Sequence, residues 1–288
     1  MDNKPKTIVH RKKRLKQVLF VLLVLAGGII MVYPLLWMIM SSFKENNEIF
    51  SDAASLVPKE FRFENYINGW KGFAKISFAT FFKNSFFISI VGTIGTVLSS
   101  AFVAFGFARL KFKGRNFWFT SMLITMMLPF QVIMIPQYII FNKLGWVGTF
   151  LPLIVPSFFG GAFFIFLIIQ FIYGLPKELD EAAKIDGCNY YNIFFRIILP
   201  LIGPSLVTCV IFSFMWKWDD FMGSLLYLNK PSTYTVTLAL KMFADPTSIT
   251  DWGAMFAMAT LSIIPIFVIF IFFQKYLVEG ISTEGLKG

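Results

Sequence analysis

Two short stretches of this chain combine residue types that could do chemistry. The first is the polar run from Leu175 to Gly187, where Glu178, Asp180, Glu181, Lys184 and Asp186 surround the pair Ala182-Ala183. Carboxylates at the start suit the positive end of a helix dipole, and small residues in the middle suit close approach to another surface. That is the chemistry of docking. The second is Trp216-Lys217-Trp218-Asp219-Asp220-Phe221, ionisable groups set in an apolar run. At membrane depth such groups are functional candidates by default. Material for catalysis is thin. The single histidine, His10, lies in a basic tail, and Cys188 and Cys209 have the spacing of neither a disulfide framework nor a metal site. No G-x-x-x-x-G-K-[ST] loop is present, so the chain lacks the phosphate cradle needed to hydrolyse ATP. The expectation is a non-enzymatic chain with no metal site.

The elements that must position these residues follow from composition. The 288 residues are 57% hydrophobic, 18% aromatic and 15% charged, with mean hydropathy +0.70. Soluble domains carry about a quarter charged residues, so the solvent implied here is a bilayer. A hydrocarbon core of about 30 Å takes about 20 apolar residues as helix. Six segments qualify, at about 18–40, 81–108, 117–139, 150–173, 201–228 and 253–276. The first follows the basic run from His10 to Lys16 but is too long for a signal-peptide core and reads as a retained anchor. Net charge +10 raises nucleic-acid binding, yet the cations lie in short stretches between apolar spans, which argues against it. The tail from Lys4 to Lys16 and the link from Arg109 to Arg115 are densely basic, whereas 138–149 holds only Lys143. Positive-inside asymmetry therefore places both termini in the cytoplasm.

Between the first two spans, residues 43–80 are of mixed charge and lie outside, as a small packed cap or as a solvated loop. Pro129, Pro136, Pro152, Pro156 and Pro265 fall inside spans, where neighbours must satisfy the freed carbonyls. The run 175–187 has the cues of a short helix: Pro176 for the first turn and Gly187 for a left-handed stop. Leu175, Leu179, Ala182, Ala183 and Asp186 share one predicted face. Lys217 and Asp220, three residues apart, are placed to neutralise each other as an internal salt bridge beside an interfacial tryptophan belt. The other reading of this stretch is a gate or cavity wall, with Trp218 and the carboxylates facing an interior space.

The order Glu181-Ala182-Ala183, three residues, Gly187, nine residues, Ile197, one residue, Leu199-Pro200 resembles the EAA loop of binding-protein-dependent importer permeases. Leu175-Pro176 and Ile185-Asp186-Gly187 resemble the sugar-importer branch. Similar too are Tyr33-Pro34-Leu35-Leu36-Trp37, Glu64-Asn65-Tyr66, Asn84-Ser85, Ala108-Arg109, the stretch from Pro129 to Pro136, and the tail Glu284-Gly285-Leu286-Lys287-Gly288. The resemblance covers nearly the whole chain and is to the second permease of maltose-type importers. Asp219 stands where that family usually has Asn.

The resemblance implies an all-α polytopic membrane protein with six transmembrane helices in the type I ABC importer permease (MetI-like) fold. The parts are a basic tail (1–16), a first helix (17–42), an extracellular segment (43–80), a core (81–279) holding the coupling loop (175–200), and a C-terminal tail (280–288). It also implies that Glu181, Ala182, Ala183, Asp186, Gly187, Leu199 and Pro200 engage a separate ATPase dimer, which carries the ATP and magnesium. Glu284, Gly285, Lys287 and Gly288 would reach into that dimer. Asn84, Gln131, Trp218, Asp219 and Asp220 are candidates for the substrate path. The implied partners are a homologous second permease, an extracellular sugar-binding protein, the sugar and membrane lipid, in a bacterial plasma membrane. The alternatives are an importer permease for a non-sugar solute, an ion-gradient-driven secondary transporter, and a membrane scaffold. The last two leave the EAA spacing without purpose.

Overall fold

Lipid offers a backbone no hydrogen bonds, so apolar stretches of this length must satisfy their own as helix. The computed structural model describes residues 6–243 and 251–282, and the side chains of 16–243 and 251–275. The tail residues Glu284, Gly285, Lys287 and Gly288 lie outside the described residues. In chain order the helices are α1 (Lys6–Ser41), α2 (Asn46–Ser51), α3 (Glu64–Lys71), α4 (Phe78–Arg109), α5 (Arg115–Thr125), α6 (Phe130–Lys143) and α7 (Leu151–Ile154). A 3₁₀ turn, Val155–Phe159, leads to α8 (Ala162–Gly174), α9 (Glu178–Ile185) and α10 (Tyr190–Asn192). A π-helical stretch, Ile193–Ile198, runs into α11 (Leu199–Leu201) and α12 (Gly203–Trp218). Then come α13 (Phe221–Tyr227), a 3₁₀ turn Pro231–Thr233, α14 (Val236–Phe243) and α15 (Trp252–Ser282).

Among the described residues four helical stretches are long and apolar enough to cross a membrane, and six if each of two bent pairs is one crossing. The polytopic helical architecture is thus as expected, but two crossings differ in form. The segment expected at 117–139 is broken: α5 and α6 meet at 101°. Pro129, with no N–H to donate, stands at the N-cap of α6 in an extended conformation. The segment expected at 201–228 is also not one helix. The bent crossing is Tyr190–Leu201 with Gly203–Trp218, at 76°, and α13 is separate beyond Asp219 and Asp220. Pro200 and Pro204 each remove a helical donor near the bend, and the π-helical stretch just before it shifts the bonding by one residue.

By compactness the chain divides into two units, Met1–Trp70 with Ala244–Leu261, and Lys71–Phe243 with Ser262–Gly288. In the first, the segment after α1 is knitted rather than loosely solvated. The Lys44 ammonium is buried and donates to the carbonyls of Ser55 at 2.5 Å and Asp52 at 3.4 Å. Asn65 donates to the carbonyls of Ser42 and Lys44, both at 2.9 Å. Glu48 accepts the backbone N–H of Lys59, and Arg62 pairs with Glu45 at 3.3 Å. Gly69 lets α3 approach the start of α15.

In the second unit α4 is the central element, packed by α8, α12 and the 3₁₀ turn at Val155–Phe159. Half of its most apolar window is buried, against none of α1's. Helices in lipid gain little from apolar contact alone, so small and polar residues draw them together. Gly95 makes room for the Phe158 ring, Ser99 donates to the Ser157 carbonyl at 3.2 Å, and Ser100 accepts the N–H of Gly161 at 3.0 Å. Ala101, Ala104 and Ala108 continue this face into a core with Ile168, Ile169, Ile172, Ile198 and Cys209.

A Cβ at Gly69 would lie 2.8 Å from Met258 Cγ and 2.9 Å from the Ala254 carbonyl oxygen. Gly69→Ala is therefore expected to destabilise the first unit by about 1–3 kcal/mol, the usual range for overpacking. Thermal unfolding of the detergent-purified protein reads this as a lower midpoint, and an unchanged midpoint would contradict the close approach.

Candidate functional site: a tethered surface helix and a membrane cavity

The run 175–188 is built as a short helix with strong ends. Glu178, Asp180 and Glu181 occupy the first turn of α9. At its end the N–H of Cys188 bonds the Ala183 carbonyl at 2.9 Å, and the N–H of Gly187 bonds that of Lys184 at 3.0 Å. These paired bonds form a Schellman stop, with Gly187 at φ +81°, where a Cβ is disfavoured.

The helix is held from behind by one ion pair. Arg109, the last residue of α4, places Nε 2.8 Å from Asp180 Oδ2, with side chains only 4% and 11% exposed. Its Nη2 also donates to the Leu175 carbonyl at 2.9 Å. Asp180 and Ala183 are buried, and Ala183 joins the core cluster. The expected single face therefore splits. Adjacent helical residues point about 100° apart, so Ala183 packs on its own chain while Ala182 is exposed. Also exposed are Glu181, Asp186 and Gly187, and Ile185 is 87% exposed. Leu199 packs partly against the core and Pro200 is exposed. Ala183 is thus seated in this chain's own core, and Ala182 is the alanine of the pair left at the surface. Beside the helix is a cavity of about 560 Å³ lined by Arg109, Lys111, Arg115, Lys177 and Lys184, with Asp180 and Glu181.

The second stretch falls at a break. Helix α12 ends at Trp218, and Asp220 caps α13 by accepting the N–H of Gly223 at 2.8 Å. The described residues hold no direct ion pair between Lys217 and Asp220, contrary to the salt-bridge expectation. The cap holds the carboxylate, while Lys217 Nζ donates to Ser157 Oγ at 2.6 Å. Gly92 of α4 gives the lysine its channel: a Cβ there would meet Lys217 Cδ and Cε at 2.8 Å. Both side chains line a cavity of about 300 Å³ with Gln137, Ser157, Trp216, Ser224 and Tyr227.

The other path candidates do not meet there. Trp218 is 2% exposed, donates to the Ser262 carbonyl at 3.1 Å and packs on Phe82, Phe86 and Phe214. It is a core residue, and its neighbour Trp216, 52% exposed, lines the cavity instead. Asn84 spends its amide protons on the carbonyls of Ser232 and Tyr234, at 2.9 and 3.0 Å, which anchors the approach to α14. Gln131 and Asp219 are exposed and outside the cavity lining. Of the five, Asp220 alone lines the cavity. Sequence reasoning missed Gln137, Ser157 and Tyr227. The usable signal was Pro152 and Pro156, because broken backbone at membrane depth must be buried in protein or line a cavity.

The family described as "Binding-protein-dependent transport system inner membrane component" matches residues 96–283. The probable ABC transporter permease protein YurM of Bacillus subtilis (strain 168) is 37% identical over 261 residues, 90% of this chain and 85% of that protein. The arabinooligosaccharides transport system permease protein AraQ of Halalkalibacterium halodurans is 36% identical over 90% of this chain and 92% of its own. One solved chain, from a bacterial ABC transporter involved in import of the acidic polysaccharide alginate, superposes with a TM-score of 0.82. It covers 92% of this chain and 98% of that one, at 19% identity.

Removing one member of a buried ion pair typically costs about 3–5 kcal/mol, because the other is left charged and unpaired. Asp180→Ala is accordingly expected to loosen α9 without disturbing membrane insertion. Hydrogen exchange over 175–188 should rise while exchange in the middle of α4 stays as in the parent protein. Gly187→Ala is expected to weaken the same stop by about 1–2 kcal/mol, the usual penalty for a left-handed Cβ.

Proposed function

Because the chain belongs to the family of binding-protein-dependent transport system inner membrane components, we propose that it is the permease subunit through which an ATP-driven importer moves an oligosaccharide into the cell. The observation that carries the coupling half of this reading is α9. Its back is pinned to α4 through Arg109 and Asp180, and its front presents Glu181, Ala182 and the apolar Ile185 to solvent. A short helix fixed on one side and uncovered on the other, with a large apolar residue standing out, suits a groove on a second protein. That partner is an ATPase dimer, which supplies the energy this chain has no nucleotide loop to extract. Glu181 meets a basic group on it, and the small Ala182 and Gly187 permit the approach.

The cations around α9 bear on orientation. Arg109, Lys111, Arg115, Lys177 and Lys184 border one cavity, and clustered Lys and Arg belong on the cytoplasmic side. The coupling loop and both termini accordingly face the cytoplasm, and the tail from Glu284 to Gly288 reaches the ATPase dimer. A homologous second permease completes the pore, and an extracellular binding protein delivers the substrate. The saccharide assignment is supported by the named cargo of the AraQ relative and by the Ile185-Asp186-Gly187 ending.

The test is purification from the native membrane followed by transport in proteoliposomes. A second permease and an ATPase should copurify, and uptake of a labelled oligosaccharide should require ATP and the binding protein. Glu181→Lys should insert normally and lower ATP-driven uptake at least tenfold. Parent-level uptake by that variant would remove the coupling role of α9.

A further inference from the structure

We propose that the cavity bounded by Trp216, Lys217, Asp220, Tyr227, Gln137 and Ser157 is a saccharide site within this subunit, taking an uncharged sugar ring by its hydroxyls. The inference rests on the importer reading and adds to it the place where this chain touches its cargo.

Unspent hydrogen-bonding capacity is the first argument. Ser157 Oγ takes one ammonium proton of Lys217, and none of the described residues accepts the others. Asp220 commits Oδ1 to the N–H of Gly223, which leaves Oδ2. Gln137 accepts the Tyr227 hydroxyl at 3.2 Å through Oε1, which leaves its amide N–H groups. Donors and acceptors left open among apolar helices are costly unless something polar meets them. A sugar ring carries both functions on each hydroxyl.

Shape and charge narrow the ligand. The Trp216 indole is braced by Phe163 and Phe164, with centroids at 5.2 and 5.3 Å, so an aromatic wall stands beside the polar groups. Tyr227 is fixed by Phe141 at 5.5 Å. Lys217 and Asp220 both line the cavity with no direct pair between them, and one cationic and one acidic side chain leave its lining with no net formal charge. That balance favours a neutral polyol over a uronate or a phosphosugar. At about 300 Å³ the space holds one ring with its immediate substituents, the lower end of the small-ligand range of about 300–1,000 Å³. Two interruptions of helical backbone, at Val155–Phe159 and between α12 and α13, both border it. Backbone at membrane depth is broken where protein buries it or a cavity needs it.

The experiment uses the whole importer with its binding protein in sealed proteoliposomes, Cys188 and Cys209 replaced by Ser. Labelled maltotriose, galactotriose, arabinotriose and trigalacturonate are first assayed for ATP-driven uptake. Phe130, another lining residue, is then changed to Cys as a reporter, and its maleimide labelling is followed during turnover. The transported neutral trisaccharide should slow labelling at least threefold, and the non-transported sugars should not. Trp216→Ala should lower uptake of that sugar about tenfold, with Trp216→Phe restoring most of it. Uptake that proceeds while labelling stays insensitive to the transported sugar overturns the site and leaves the importer reading standing. Absence of ATP-driven uptake of every saccharide in the panel overturns that reading, and the site with it.

Discussion

The 2.8 Å contact between Arg109 and Asp180 is the interaction on which the functional geometry turns. A buried guanidinium needs a carboxylate and carbonyls around it or its desolvation goes uncompensated. Asp180 supplies the opposite charge and the Leu175 carbonyl one acceptor, both from the polar run between α8 and α10, while Arg109 Nη1 and Asp180 Oδ1 have no hydrogen-bond partner among the described residues. The consequence is that a short helix, too brief to be stable alone, has one defined attitude on the end of α4. Its free face is then whatever the ion pair and Ala183 do not use.

Helix α4 is common to both regions of interest. At its end Arg109 grips α9, and partway along it Gly92 makes the notch through which Lys217 passes. Between them run Gly95, Ser99, Ser100, Ala101 and Ala104, the residues against which α8 and the 3₁₀ turn are drawn. Glycine, serine and alanine dominate this face because helices in lipid associate by close packing and hydrogen bonds rather than by hiding from water. One helix thus borders both the seat of α9 and the cavity.

The departures from a simple bundle have local causes. Pro129 caps α6 where an unbroken crossing was expected, and Pro200 and Pro204 accompany a π-helical stretch and a 76° bend. Asp220 acts as an N-cap, so α12 and α13 are two helices rather than one. Lys217 and Asp220 are not directly ion-paired: one carboxylate oxygen is turned to the Gly223 N–H of the cap, and the lysine extends toward Ser157. A side chain's nearest charge in sequence is not always its partner in space.

The amino-acid order alone carried the bilayer as solvent, the helical crossings, the short helix within 175–187 and its stop at Gly187. These depend on hydropathy over about 20 residues and on local backbone preference, which adjacent residues settle among themselves. What tertiary structure decided was which side chains face inward. Ala183 and Ala182 are chemically identical and adjacent, and only packing against the core separates them. Trp216 and Trp218 read alike in sequence, yet Phe82, Phe86 and Phe214 enclose the second and leave the first at the cavity. Gln137, Ser157 and Tyr227 come from distant segments, and their convergence depends on helix breaks whose angles no local pattern specifies.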